Sequence, residues 1–283
     1  MSSVAVLGTA CLDRVIVARE NGKLNFQTTT QVIETDSFGG SMHNIAFHLG
    51  VLGLDCHFIS KFGNDVTSQA LINDMETHGV KVHPTILDAP CPVFTCLQDD
   101  EKKMYVSSVD PRYFYHDEDE IPFRELSTCQ WGITDNNDPR FLKRLLQASP
   151  NTRWIMNARQ FDWQLMPLLE GYILNREEAA RYCPGLDQDA FAAKALAAGL
   201  KWIVITMDKD GLTYYDHQVS RHFDSLTGGP GVTLGCGDAF SSGLLYALSL
   251  GKTPLAAVPY GLKASAIIYK LPTATSLSIT QIK

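Results

Sequence analysis

The sequence predicts an α/β fold: a mostly parallel sheet with helices on both faces and a small extra sheet beside it. Three observations carry this. Short apolar runs end in glycine or a polar residue, as buried parallel strands do. Segments of helical spacing lie between them. Two stretches break the alternation with period-two patterning and no helix between their strands.

In chain order, "SVAVLG" (3–8) is β-branched, apolar and closed by Gly8, which reads as a buried strand. "MHNIAFHLGVLG" (42–53) has apolar residues at 42, 45, 46, 49 and 52 and a stop at Gly53, which predicts a helix. "DCHFIS" (55–60) is the next strand, and "SQALINDMETHG" (68–79) is a helix closing on glycine. "YILN" (172–175), "WIVIT" (202–206) and "LTYYD" (212–216) are further strands, with "DQDAFAAKALAAG" (187–199) a helix between the first two. The irregular stretches are 13–36 and 91–108, with hairpin-type turns at Asn21-Gly22 and Asp99-Asp100. No linker composition separates them from the rest, so the chain reads as one domain, 1–283, carrying a small β outgrowth.

Composition narrows the function classes. The 283 residues are 45% hydrophobic and 19% charged, as in an ordinary globule able to bury a full core. A net charge of -7 disfavours nucleic acid as a partner. No apolar run approaches a membrane span, and the N-terminus lacks the basic region of a secretory signal. Seven scattered cysteines with no CxxC predict reduced thiols and a cytoplasmic location. The eight histidines lack ligand spacing and read as surface or satisfied core residues, with His43 set apart by its neighbour Asn44.

The chemistry concentrates in "GCGDAFSSG" (235–243). Phe240, Leu244, Leu245 and Leu248 share a helical face, so the glycines sit at a helix N-terminus with Asp238 in its first turn. Unpaired N–H groups and the helix dipole make such an end an anion site. A carboxylate there suits a base that takes the proton of a hydroxyl attacking phosphorus. The local pattern is equally met by a capping aspartate in a glycine turn. Cys236 could be read as a nucleophile, but direct transfer to a hydroxyl needs none.

The same stretch resembles the second signature of the ribokinase-like (PfkB) carbohydrate kinase family, GAGD-A-F-x-x-G. "GGSMHNIAFHLGVLG" (39–53) resembles the first signature. "LDRV" with Asp13, "GND" (63–65), "NREE" (175–178) and "VITMDKDG" (204–211) are similar to further family motifs in the right order. The resemblance implies a Rossmann-like core with a β-sheet lid, and an ATP- and Mg2+-dependent transfer of the γ-phosphoryl group to a hydroxymethyl group of a sugar or nucleoside. By position it implies Asp238 as the base and the amides of Gly235, Cys236 and Gly237 as an anion hole. It implies Asp13, Gly39, Gly40 and Asn44 as acceptor ligands. Asn175, Thr206 and Gly211 would serve the nucleotide, and Glu178 the metal. A homodimer paired through the lid is the expected assembly.

Several positions depart from the family pattern. Asp208 stands where the strand-turn has glycine, Val232 where an aspartate is common, Met42 in place of a signature glycine, and Ile155 at an acidic position of "WIMNARQFDW" (154–163). Val232 bears on monovalent-cation activation and Asp208 on nucleotide affinity. They keep open a second reading, a kinase-fold protein that binds sugar or nucleotide without turnover. A dinucleotide dehydrogenase is disfavoured because "GTACLD" follows the first strand where G-x-G-x-x-G would stand.

Overall fold

The computed structural model describes residues 2–19, 23–24, 28–99, 103–157, 161–228 and 231–283. The expected turn at Asn21-Gly22 and residue Asp100 of the second turn lie outside the described residues.

Apolar alternation builds the main sheet. Strand β1 (Ser3–Leu7) sends Val4 and Val6 to one face and Ala5 and Leu7 to the other, each into its own apolar layer. Burying a side chain of this size contributes about 1.5–3 kcal/mol. The chain then leaves the main sheet for β2 (Cys11–Ala18) and β3 (Val32–Gly39), and returns through α1 (Ser41–Val51) to β4 (Asp55–Phe62). Helix α2 (Val66–Thr77) and β5 (Val80–Ile86) complete that side. A second excursion supplies β6 (Val93–Gln98) and β7 (Lys103–Ser107). The remaining alternation runs through α3 (Phe123–Leu126), β8 (Trp131–Thr134), α4 (Pro139–Ala148), β9 (Arg153–Asn157) and β10 (Gly171–Asn175). It continues with α5 (Arg176–Tyr182), α6 (Gln188–Ala197), β11 (Trp202–Thr206), β12 (Leu212–Asp216) and β13 (Ser220–Phe223). Helices α7 (Cys236–Ser249) and α8 (Pro254–Tyr269) follow.

The main sheet has the order β13-β12-β11-β10-β9-β8-β1-β4-β5. Seven neighbouring strands, β5, β4, β1, β8, β9, β10 and β11 in that spatial order, pair in parallel, and β12 and β13 add antiparallel pairs at one edge. Strand order turns around β1, which lies between β4 and β8, and in open parallel sheets such a switch point opens a crevice at the carboxyl ends of the strands. The two irregular stretches form a separate four-stranded sheet, β3-β2-β6-β7, rooted beside that crevice.

Two helices are aimed at the crevice. Asn44 faces Asp238 and His48 faces Ser242, at the same offset of 194 residues. A constant offset over one helical turn means that α1 and α7 run parallel, so their N-termini lie side by side. Glycine permits the close packing behind them: a Cβ at Gly243 would stand 2.4 Å from the Tyr260 carbonyl oxygen of α8.

Candidate active site

Two cavities meet at the N-terminus of α7. The larger, about 580 Å³, includes Asn175, Thr206, Asp208, Gly211, Ser225, Thr227 and Gly237 in its wall. The smaller, about 410 Å³, is lined by Asp13, Gly40, Asn44, Gly237 and Asp238 among others. Thr233 and Gly237 line both, so the start of α7 is the shared wall.

The residues expected to form an anion hole make a glycine turn. Gly235 adopts φ 76°, and a Cβ there would lie 2.5 Å from the Ala274 Cβ, so glycine is required twice over. A Cβ on Gly237 would meet nothing within 4 Å: that glycine faces open space where the two cavities join. The Cys236 N–H is already engaged, donating to the Thr233 carbonyl at 3.2 Å. The Gly235 and Gly237 amides have no acceptor among the described residues. Burial pushes the Cys236 thiol up from its ordinary value, which opposes a nucleophilic role.

Asp238 sits in the first turn of α7, and its Oδ2 accepts from the Asn44 side-chain amide at 2.8 Å. Asn44 Oδ1 faces His43 Nδ1 at 3.2 Å. His43 is 1% exposed and burial lowers its pKa to about 4, so its ring is neutral at neutral pH. With the proton on Nδ1 it donates to Asn44 Oδ1, which leaves the Asn44 NH2 turned toward Asp238. His43 Nε2 and His48 Nε2 have no hydrogen-bond partner among the described residues. His48 therefore departs from the satisfied-core expectation, and His43, set apart in the sequence, shares its surroundings: helix α1 carries both into an apolar layer that offers few acceptors or donors.

Of the other residues expected to hold the acceptor, Asp13 and Gly39 lie in the small sheet and Gly40 follows it. Asp13 is buried, and a Cβ at Gly39 would stand 1.9 Å from its Oδ2. Gly39 thus makes room for Asp13 and is not itself in the cavity wall. Gly40 takes φ 96° and caps α1 in close approach to the Thr9 carbonyl oxygen.

Asn175, Thr206 and Gly211, expected to serve a nucleotide, all line the larger cavity, at the ends or turns of β10, β11 and β12. Gly211 has φ 84°, and a Cβ would lie 2.1 Å from the Phe223 carbonyl oxygen. Asn175 and Glu178 form a capping box: Asn175 Oδ1 accepts from the Glu178 N–H and Glu178 Oε2 from the Asn175 N–H, each at 2.8 Å. Glu178 is not in the cavity wall in this arrangement. Asp208 is the single described non-glycine residue with positive φ, 49°, at the position where the family carries glycine. Asp65 of "GND" caps α2, accepting from Ser68 N–H and Cys91 N–H. Arg159 lies outside the described residues.

Sequence reasoning missed Thr233, which has no motif of its own, and the aromatic pair Phe94 and Tyr105 in the smaller cavity. Period-two alternation places that pair on the cavity face of its sheet, but only register shows which residues they neighbour.

The pfkB family carbohydrate kinase model matches residues 1–281, and the chain belongs to that family. It is 23% identical over 255 residues to an ATP-dependent 6-phosphofructokinase of Thermoanaerobacterium thermosaccharolyticum, covering 83% of this chain and 79% of that one. Among solved structures it is similar to Thermotoga maritima ribokinase, with a TM-score of 0.87 at 22% identity over 98% and 96% of the two chains. It is also similar to Arabidopsis thaliana ribokinase complexed with ribose and ATP, with a TM-score of 0.79 at 15% identity over 99% and 97%. Among the described residues, no helix is long and apolar enough to cross a membrane.

Proposed function

We propose that this chain transfers the γ-phosphoryl group of ATP to a hydroxymethyl group of a sugar or nucleoside. The observation that carries the reading is the position of Asp238: it lines the smaller cavity at the shared wall, one residue from Gly237. The nucleotide takes the larger cavity and the acceptor the smaller. The acceptor oxygen attacks the γ-phosphorus, its O–P bond forms as the bond to the bridging oxygen of ADP breaks, and Asp238 receives the hydroxyl proton. Asn44 fixes the rotation of the carboxylate. The Gly235 and Gly237 amides, with the N-terminal ends of α7 and α1, stabilise the charge spread over the transferring group.

Asn175 and Asp208 offer oxygen ligands in the wall of the larger cavity, and Glu178, bonded to Asn175 behind it, would act on Mg2+ through the ion's waters. Among the described residues no three His, Cys, Asp or Glu side chains form a preformed cage, which fits an ion held largely by phosphates and water. Bound there, Mg2+ supplies charge neutralisation of the phosphates. The small sheet acts as the lid over the acceptor, and the apolar side chains exposed on it, Met104 and Val106, support pairing with a second copy.

The Asp208 charge beside the nucleotide cavity favours the second reading, a binder without turnover. Magnesium-dependent ADP formation across a panel of sugars and nucleosides separates the two. Acceptor-dependent ADP release supports the kinase; binding of acceptor and ATP with no ADP release supports the silent binder.

A further inference from the structure

Cross-strand register aligns four residues in one row of the small sheet. Ser37 pairs with Asp13, Asp13 with Phe94, and Phe94 with Ser107. Tyr105, two residues before Ser107, points to the same face and packs against Phe94 with ring centroids 5.7 Å apart and planes inclined by 23°. Asp13, Phe94, Tyr105 and Ser107 all line the smaller cavity. The cavity wall therefore joins two kinds of surface: Asp13, Asn44 and Asp238 are polar, while Phe94, Tyr105, Val109 and Phe114 are apolar and largely aromatic. Tyr105 is 57% exposed, so the aromatic pair presents ring surface that the protein itself leaves uncovered.

Among the described lining residues there is no Lys, Arg or His, and the charged side chains are the carboxylates of Asp13 and Asp238. Arg14, next in sequence to Asp13, points to the opposite face of its strand and is paired with Asp36 and Glu34. A phosphate carried by the acceptor would lie close to these two carboxylates.

We propose that the acceptor is an uncharged nucleoside. Its sugar hydroxyls meet Asp13 and Asn44, with the reacting hydroxyl at Asp238, and its base lies on the Phe94–Tyr105 pair. A free sugar would leave the aromatic pair against water, and a sugar phosphate would face the carboxylates. Stacking of a base on an aromatic side chain strengthens binding by roughly tenfold to a hundredfold. Phe94 and Tyr105 are then specificity-determining residues. The inference rests on the kinase reading for turnover but not for binding.

The test uses the full chain with ATP and Mg2+ and four probes: adenosine, uridine, D-ribose and fructose 6-phosphate. ADP release and direct calorimetric binding are measured in parallel. The expected result is a kcat/KM for at least one nucleoside about tenfold or more above ribose, with no turnover of fructose 6-phosphate. Tyr105→Ala and Phe94→Leu should each raise the nucleoside KM by about tenfold and shift the ribose KM less. Equal or better use of ribose or fructose 6-phosphate overturns the proposal, as does an equal KM increase for every acceptor. If no probe gives ADP, the kinase reading fails and calorimetry decides: nucleoside binding weakened by Tyr105→Ala upholds the site, and no nucleoside binding overturns it.

Discussion

The Asn44 side-chain amide donates to Asp238 Oδ2 at 2.8 Å across the contact between two parallel helices, α1 and α7. Its orientation is set from behind by His43, so the proposed base is aimed by a chain of two side chains. Asn44→Asp would replace a donor by a second carboxylate at hydrogen-bond distance. Two carboxylates that close share a proton, which raises the apparent pKa of the pair. The rising limb of the kcat–pH profile should move to higher pH, while nucleotide KM stays near wild type. An unmoved profile would mean that the two groups do not act as a pair.

The three residues of the glycine turn should separate by substitution. Gly235→Ala places a Cβ 2.5 Å from Ala274 at φ 76°, so it should lower stability by about 2 kcal/mol or more. Gly237→Ala meets no protein atom within 4 Å and should leave the melting temperature near wild type. It fills the shared wall of the two cavities, however, so turnover should fall by about tenfold or more. Thermal melts and ADP release on both variants check this. A Gly237→Ala enzyme with full activity would remove that glycine from the phosphoryl site.

Asp208 holds φ 49°, a region that aspartate tolerates better than most residues and that costs a β-branched one roughly 1–2 kcal/mol. Asp208→Gly should change stability by less than about 1 kcal/mol, whereas Asp208→Val should lose roughly 2 kcal/mol. Because Asp208 lines the larger cavity, removing its charge should also lower the KM for ATP if phosphates lie near it. Equal KM values for wild type and Asp208→Gly would place the phosphates away from this turn.

Much of this architecture was legible in the sequence, and what was not depends on pairing between strands or helices. The α7 N-terminus could be read because glycines followed by a helical apolar face have one local meaning. The alternation of β1 and of β11 gave their two buried faces directly. The relation of Gly39 to Asp13 was not readable, since it depends on the β2–β3 register. Asp208 stood out as a departure, but only its backbone angle shows why glycine suits that place. "NREE" was open to both a helix start and a metal role, and the capping box is the part that backbone geometry makes visible. Phe94 and Tyr105 sit in unremarkable β alternation, and nothing local marks them as neighbours of Asp13.

Acid should destabilise the fold before its carboxylates titrate. Burial lowers His43 to about 4 and His48 to about 3, whereas an unfolded histidine titrates near 6.5. Below 6.5 the unfolded chain binds protons that the folded one refuses, so stability is full above 6.5 and declines as the pH falls toward 4. His43 alone accounts for about 3 kcal/mol across that window. Urea unfolding between pH 7.5 and 4.5 measures it. A stability unchanged over this range would show that both rings accept protons in the folded state.

Asp238→Asn tests the central claim most directly, because it keeps the size of the side chain and an oxygen that can accept from the Asn44 amide but cannot take up the hydroxyl proton. Turnover, acceptor affinity and melting temperature should be measured on one purified preparation. The account predicts a loss of kcat on the order of a hundredfold to ten-thousandfold. It predicts little change in the melting temperature, since Asp238 is not the cap of α7 and asparagine can keep the hydrogen bond from Asn44. Turnover near wild type with an unchanged melting temperature would contradict the account and leave Asp238 as a helix-terminal residue without a part in proton transfer.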